Sequence, residues 1–218
     1  MKIAIVGATG LVGRNIIKLC EKNFNEEVEY NLFASKSSEG KKITINNREF
    51  FVKELKKENI EEYDISLFSA GGERSREYAK DFVKNGSFVI DNSSVFRMNE
   101  DVPLVVYGIN ENEITSDSKL ISNPNCTTMG LVMALKPLHD EYTLMSMTPV
   151  AYQAVSGSGS EALQSLNNET LISDELDSDY NAQFRKETTV EQVLADPLIC
   201  DPLTRSMCCP VGDASAAA

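Results

Sequence analysis

The first residues of the chain alternate between apolar runs and sharp stops. Residues 2–6 read Lys-Ile-Ala-Ile-Val and end at Gly7, the pattern of a buried strand entering a tight turn. Val12, Ile16, Leu19 and Cys20 then recur at helical spacing, which predicts a helix from residue 11 with one face laid on a sheet. Strands are expected at residues 29–34, 65–68, 88–90, 105–106 and 119–121, a helix at 73–85, and a hairpin at 43–52 turning on Asn46-Asn47. Met129, Val132, Met133, Leu135 and Leu138 predict a helix over 126–139, and 145–155 reads as a long strand. Strands alternating with helices at this spacing imply an α/β fold with a doubly wound parallel sheet. Beyond residue 170 the character changes: 167–180 is acidic, and the last 30 or so residues lack periodicity and read as weakly structured.

Composition narrows the function classes. With 218 residues and 42% hydrophobic content the chain can bury one good core and part of a second. A net charge of -12 with 21 Lys plus Arg argues against nucleic acid or an anionic membrane as partner. No stretch approaches the roughly 20 apolar residues of a membrane helix, and the N-terminus runs straight into a strand, so a cytoplasmic protein is expected. Five cysteines, an odd number at irregular spacing, do not form a secreted disulfide framework, which leaves one of them available for chemistry. His139 is the single histidine and no Cys-x-x-Cys occurs, so no metal site is expected.

Two motifs carry chemistry. Gly7-Ala8-Thr9-Gly10-Leu11-Val12-Gly13 joins the first strand to the first helix, where backbone amides and the helix dipole face a pyrophosphate. Outside that context it would be a plain turn; within it, a dinucleotide is the better reading. At the end of the second strand an NAD-specific site places an acidic residue for the ribose 2′-hydroxyl, and here the chain reads Ala34-Ser35-Lys36-Ser37-Ser38. Hydroxyls and a lysine favour NADP over a bland Ser-rich loop, with Glu39 the one carboxylate nearby. The second motif, Asn123-Pro124-Asn125-Cys126-Thr127-Thr128, sets a cysteine at the opening of a helix, a position that favours the reactive thiolate. Cys20, on its amphipathic helix, is better read as a small buried hydrophobe. A nucleophilic cysteine beside a nicotinamide suggests aldehyde chemistry through a thiohemiacetal and an acyl-thioester.

Taken in order, Gly7 to Gly13, Ser69-Ala70-Gly71-Gly72, Asp91-Asn92-Ser93-Ser94, Val102-Pro103-Leu104-Val105-Val106, Asn123 to Thr128, and Gln153-Ala154-Val155-Ser156-Gly157-Ser158-Gly159 resemble the aspartate-semialdehyde dehydrogenase family over about residues 1–170. The resemblance implies a Rossmann-like doubly wound parallel sheet followed by the beginning of a second α+β catalytic and dimerisation domain. Its divisions would be an NADP-binding domain at 1–125, the start of the catalytic domain at 126–170, and a divergent, weakly structured tail at 171–218. It implies NADPH-dependent reduction of aspartyl 4-phosphate to aspartate 4-semialdehyde and phosphate, feeding lysine, methionine and threonine synthesis, in a homodimer. By carry-over Cys126 is the nucleophile, and Gln153 and Asn125 orient the substrate. Arg97 binds its phosphate, a role suited to a guanidinium's paired donors. Gly7, Thr9, Gly10, Leu11, Val12, Gly13, Ser35, Lys36, Ser37, Ser38, Ser69, Ala70, Gly71, Asn92, Ser156 and Gly157 would hold the cofactor.

The family's acid-base histidine, and the arginine and glutamate that hold the substrate's carboxylate and amino groups, are not recognisable. His139 lies 13 residues past Cys126, about 20 Å along a helix at 1.5 Å per residue, too far to act as its base. Arg185 and Arg205 lack a matching context. Turnover is therefore expected to fall by about 10²–10⁴-fold, the usual cost of losing acid-base help. The alternatives are an enzyme like N-acetyl-glutamyl-phosphate reductase or a catalytically inactive NADP-binding module. A sugar-nucleotide epimerase is excluded, since no tyrosine has a lysine four residues later.

Overall fold

The computed structural model describes residues 1–24 and 27–151, and beyond them 155, 162, 164–166, 198–200 and 203–204. Its residues group into two units, Met1–Tyr152 and Gln153–Ala218.

The first unit is built on β1 (Lys2–Val6), whose apolar run is buried on both sides. Ala4 and Val6 face one core with Phe33, Phe68, Phe82 and Val89, while Ile3 and Ile5 face a second with Ile17, Cys20, Leu32 and Val52. A strand buried on both faces belongs at the centre of a parallel sheet, and that is where β1 lies. It pairs in parallel with β2 (Glu29–Ala34) on one side and β5 (Ile65–Phe68) on the other. With β3 (Lys42–Ile45), β4 (Arg48–Glu54), β6 (Phe88–Asp91) and β7 (Leu120–Ser122) the order is β3-β4-β2-β1-β5-β6-β7. Only the β3–β4 pair is antiparallel, turning at Asn46 and Asn47, both with positive φ.

Helix α1 (Leu11–Asn23) lays Ile17 and Cys20 on one face of the sheet, and α2 (Gly72–Lys84) lays Tyr78, Ala79 and Phe82 on the other. The α2 side is aromatic: the Phe82 ring meets Phe33, Tyr63 and Phe68 with centroids 5.8, 5.7 and 5.1 Å away. Burial of Tyr63 pushes its phenol up to about 12, so it stays neutral throughout the physiological range. Beneath β6, the buried Asp91 carboxylate accepts hydrogen bonds from Ser75 Oγ and Ser93 Oγ, both 2.6 Å, which tie α2 to the strand exit.

The doubly wound α/β reading therefore holds, as do the hairpin and most boundaries. Two expectations do not. Residues 105–106 form no strand; instead the neighbouring Leu104 makes a lone parallel bridge to Ser122, because Pro103 just before it has no amide to extend a ladder. The long strand expected from 145 is absent through 151, where the backbone is irregular and exposed. No neighbouring strand offers it a ladder there among the described residues, and β-propensity alone does not hold an unpaired strand. Within the second unit, residues Leu198–Cys200 pair antiparallel with Leu203–Thr204. No described helix is long and apolar enough to cross a membrane.

Phe82→Ala should cost about 3–5 kcal/mol, the usual loss for a fully buried phenylalanine, whereas Phe51→Ala, at an exposed position, should stay within about 0.5 kcal/mol. Urea unfolding of both variants checks this, and similar midpoints would contradict the assigned core.

Candidate active site

Strand order reverses between β1 and β5, and ligands of open α/β sheets bind at the carboxyl ends of strands at such a reversal. Here those ends carry Gly7 and Ser69. Gly7 sits at φ +89°, and a Cβ on it would meet Ser69 O at 2.6 Å, so only glycine fits. Gly13, one turn into α1, is pressed against the Gly7 carbonyl so closely that a side chain there would collide with backbone. Helix α1 begins at Gly10 with no side-chain cap and no acidic residue in its first turn. Its leading amides and the positive end of its dipole are left for an external anion, which is the condition a pyrophosphate meets.

A cleft of about 540 Å³ opens from this turn, walled by Gly7, Thr9, Gly10, Ser35, Lys36 and Ser69. Ser35 Oγ and Ser37 Oγ lie 3.0 Å apart on the turn after β2, and Thr9 Oγ1 donates to the buried Ser38 Oγ at 3.4 Å, joining the two loops. Among the described residues no carboxylate pairs with Lys36. Ala70 also lines this cleft, and Gly71 caps α2 at φ +85°. Of the residues expected to hold a cofactor, Gly7, Thr9, Gly10, Ser35, Lys36, Ser69 and Ala70 line this cleft; Leu11 is exposed at the start of α1, and Gly13 packs against the Gly7 carbonyl.

Beyond the strand ends at Val6 and Ala34, this wall includes Glu54, Leu55, Lys56, Arg74 and Tyr78, which were not anticipated. The first of them ends β4 and the next two follow it, and β4 reaches the cleft because it runs parallel to β2, a placement the hairpin pattern does not specify. Glu54 brings a carboxylate, but Lys56 Nζ lies 2.5 Å from it and offsets its charge. Arg74 and Tyr78 sit one turn apart on α2, where the Ser-Ala-Gly-Gly run would have pointed to them.

A second cleft, of about 470 Å³, lies on the α1 side of the sheet and is lined by Val12, Ile16, Leu67, Ile90, Asn92 and Asn123. Val12, which lines it, lies two residues beyond Gly10, which lines the first, so the clefts flank the start of α1.

Past β7 the chain enters α3 (Cys126–Tyr142). Asn125 caps it: its Oδ1 accepts from Thr127 N at 3.0 Å and Thr127 Oγ1 at 2.7 Å, and the Cys126 thiol points to the same oxygen at 3.6 Å. Asn125 is therefore fixed by its cap and holds the cysteine at the helix opening. Cys126 is exposed and Cys20 is buried, neither in a disulfide, and desolvation pushes the Cys20 thiol up from its ordinary value. Arg97 is half-buried, its Nε donating to Asn123 O and its Nη2 to Asn92 O, both at 2.9 Å. Helix α3 carries Cys126 and His139 at opposite ends, so the histidine is kept from the thiol by the rigid helix between them. Gln153, Ser156 and Gly157 lie outside the described residues. Among the described residues no group of three or more His, Cys, Asp and Glu could hold a metal ion.

Iodoacetamide at pH 7 is expected to modify Cys126 at least ~10-fold faster than Cys20, since exposure and thiolate access control the rate. Peptide mapping reads the ratio, and equal rates would contradict the placement of the two thiols.

Comparison with known proteins accords with this geometry. The family model described as semialdehyde dehydrogenase, NAD binding domain, matches residues 2–117. An aspartate-semialdehyde dehydrogenase of Aquifex aeolicus is 47% identical over 172 residues, covering 78% of this chain and 51% of the relative. The crystal structure of aspartate semialdehyde dehydrogenase II from Vibrio cholerae, complexed with ASA, superposes with a TM-score of 0.75 at 32% identity, covering 84% of this chain and 56% of that one. That of the Candida albicans enzyme with NADP gives 0.55 at 31% identity, covering 66% of this chain and 48% of that one. The chain spans about half the length of the curated relatives it matches. With its Rossmann-like sheet, its glycine turn and a family match across the nucleotide-binding half, the chain belongs to the semialdehyde dehydrogenase family.

Proposed function

We propose that this chain supplies the NADP-binding and nucleophile-bearing part of an aspartate-semialdehyde dehydrogenase, which converts aspartyl 4-phosphate to aspartate 4-semialdehyde and phosphate in lysine, methionine and threonine synthesis. The observation that carries the reading is the pairing of an uncapped, glycine-walled turn with an exposed cysteine at the start of α3.

Bound in the clefts, NADPH supplies a hydride. The chain's own residues do the rest. The thiolate of Cys126 attacks the acyl carbon, the bond to the phosphate oxygen breaks, and an acyl-thioester remains on the sulfur. Arg97, held on two carbonyls, receives the departing phosphate through its remaining N–H donors. Asn125 keeps the thiol at the helix end, where the dipole favours its anionic form. Hydride delivery to the thioester carbonyl and expulsion of the thiolate then give the aldehyde and restore Cys126. Gln153 orients the acyl group in this reading, with Ser156 and Gly157 at the nicotinamide end. A homodimer and a cytoplasmic location complete it.

Preference for NADP over NAD follows from the turn after β2. Ser35, Lys36 and Ser37 are exposed there beside the cleft wall, no carboxylate stands among residues 35–38, and the Candida albicans relative was solved with NADP. A 2′-phosphate gains a charge-assisted bond from Lys36 that a 2′-hydroxyl does not.

Incubating the protein with aspartyl 4-phosphate, without cofactor, should release phosphate and leave an aspartyl adduct on the Cys126 peptide by mass spectrometry. The Cys126→Ala variant should show no adduct and release phosphate only at the rate of spontaneous hydrolysis, and an adduct-free wild-type protein would refute the assignment. Lys36→Glu should weaken NADPH binding by about 10–100-fold, the loss of one charge-assisted bond, and NADH binding by far less. Parallel fluorescence titrations measure both, and an equal effect on the two would remove Lys36 from the 2′-phosphate site.

A further inference from the structure

At the exits of β6 and β7 three side chains and two carbonyls close a ring. Asn123 Nδ2 donates to Asn92 Oδ1 at 2.6 Å, and Arg97 joins the backbones of the same two residues through its Nε and Nη2. Asn123 N also donates to Asp91 O at 2.9 Å, so one strand exit is tied to the other by backbone and by side chain. The residue after Asn123 is Pro124, which has no amide of its own to offer. The Asn123 side chain is thus the lateral tie just ahead of the three-residue step to Cys126.

The ring leaves Arg97 in an unusual condition. Two of its five donors rest on neutral carbonyls, and among the described residues no carboxylate pairs with it. Its charge is undiminished, and three donors remain in a plane fixed by the first two. The spacing of the two supporting carbonyls decides where that plane points, and the Asn92–Asn123 side-chain hydrogen bond adds to the Asn123 N–Asp91 O backbone bond in holding it.

We propose that Asn123 is a positioning residue for phosphate capture: by bonding Asn92 it fixes the two carbonyls that aim the Arg97 guanidinium at an oxyanion beside the Cys126 loop. This rests on the reading of Arg97 as the phosphate ligand. Neither amide needs to touch the anion, and both act through Arg97. The effect is one of preorganisation: without the tie, Arg97 retains its charge but must order itself on binding.

The 218-residue chain serves for the test, with inorganic phosphate as probe and the slowing of Cys126 alkylation as readout. Adenosine 2′,5′-bisphosphate binding, measured by calorimetry, reports the glycine-turn cleft independently. Asn123→Ala should raise the phosphate half-saturation about 10-fold, the equivalent of one lost hydrogen bond, with bisphosphate binding unchanged. Asn92→Ala should raise the phosphate half-saturation likewise, and the double variant should be no worse than either single one in that readout, because both remove the same bond. Arg97→Ala should abolish the phosphate effect. An unchanged half-saturation in Asn123→Ala, additive losses in the double variant, or a parallel loss of bisphosphate binding would each overturn the positioning role while leaving Arg97 as ligand. A phosphate effect that survives Arg97→Ala, or none in the wild-type protein, would overturn the Arg97 reading and the positioning role together. Should Asn123→Ala fail to fold, Asn92→Ala carries the same comparison.

Discussion

The contact between the Gly7 carbonyl and the bare α-carbon of Gly13 is the constraint from which the rest of the nucleotide-binding half follows. Because Gly13 has no side chain, α1 can start directly above the end of β1 and run back along the sheet at close range. That proximity is what lets Ile17 and Cys20 reach Ile3, Ile5 and Leu32 and close one of the two cores. The same geometry leaves the first amides of α1 without partners at the one place where the sheet changes direction. Packing and ligand recognition thus share a single steric condition, and a methyl group at either glycine would disturb both at once.

Much of this was legible from the order of residues. β1 is an apolar run after Lys2, and β2 and β5 interrupt theirs at Asn31 and Ser66; strands buried on both faces leave that mark. The glycine turn and the Asn-Asn turn state their own backbone geometry, since few other residues take those conformations at low cost. What stayed hidden depended on neighbours remote in sequence. The wall made by Glu54, Leu55 and Lys56 exists because β4 docks beside β2, and nothing local in the hairpin says which of its strands will do so. The residues after 144 have the apolar character of a strand but no ladder to join among the described residues, so their propensity goes unexpressed.

The site was readable to a similar depth. A cysteine after Asn-Pro-Asn announces a helix opening, and the structure adds that Asn125 is its cap. The family resemblance singles out Arg97 as the proposed phosphate ligand, but not the way it is supported, because its two props come from residues 5 and 26 positions away. Long-range backbone acceptors leave no signature in composition or spacing. Charges behave differently: the absence of an acidic residue at 35–38 is visible in the chain, and on that side the cleft presents the Ser35 hydroxyl and the Lys36 ammonium.

The margins of the sheet have a consequence of their own. On one side it ends in β3, four residues long, with Lys42 ion-paired to Glu49 on its partner strand. On the other, the three-residue β7 is shielded where Leu104 bridges to Ser122 and Val105 N donates to the Ser122 carbonyl. Short, charged or covered borders are how β-proteins avoid fusing edge to edge with a neighbour. Copies of this unit are thereby discouraged from joining into a continuous intermolecular ladder, and their encounters are directed to side-chain faces, where specificity can be encoded residue by residue.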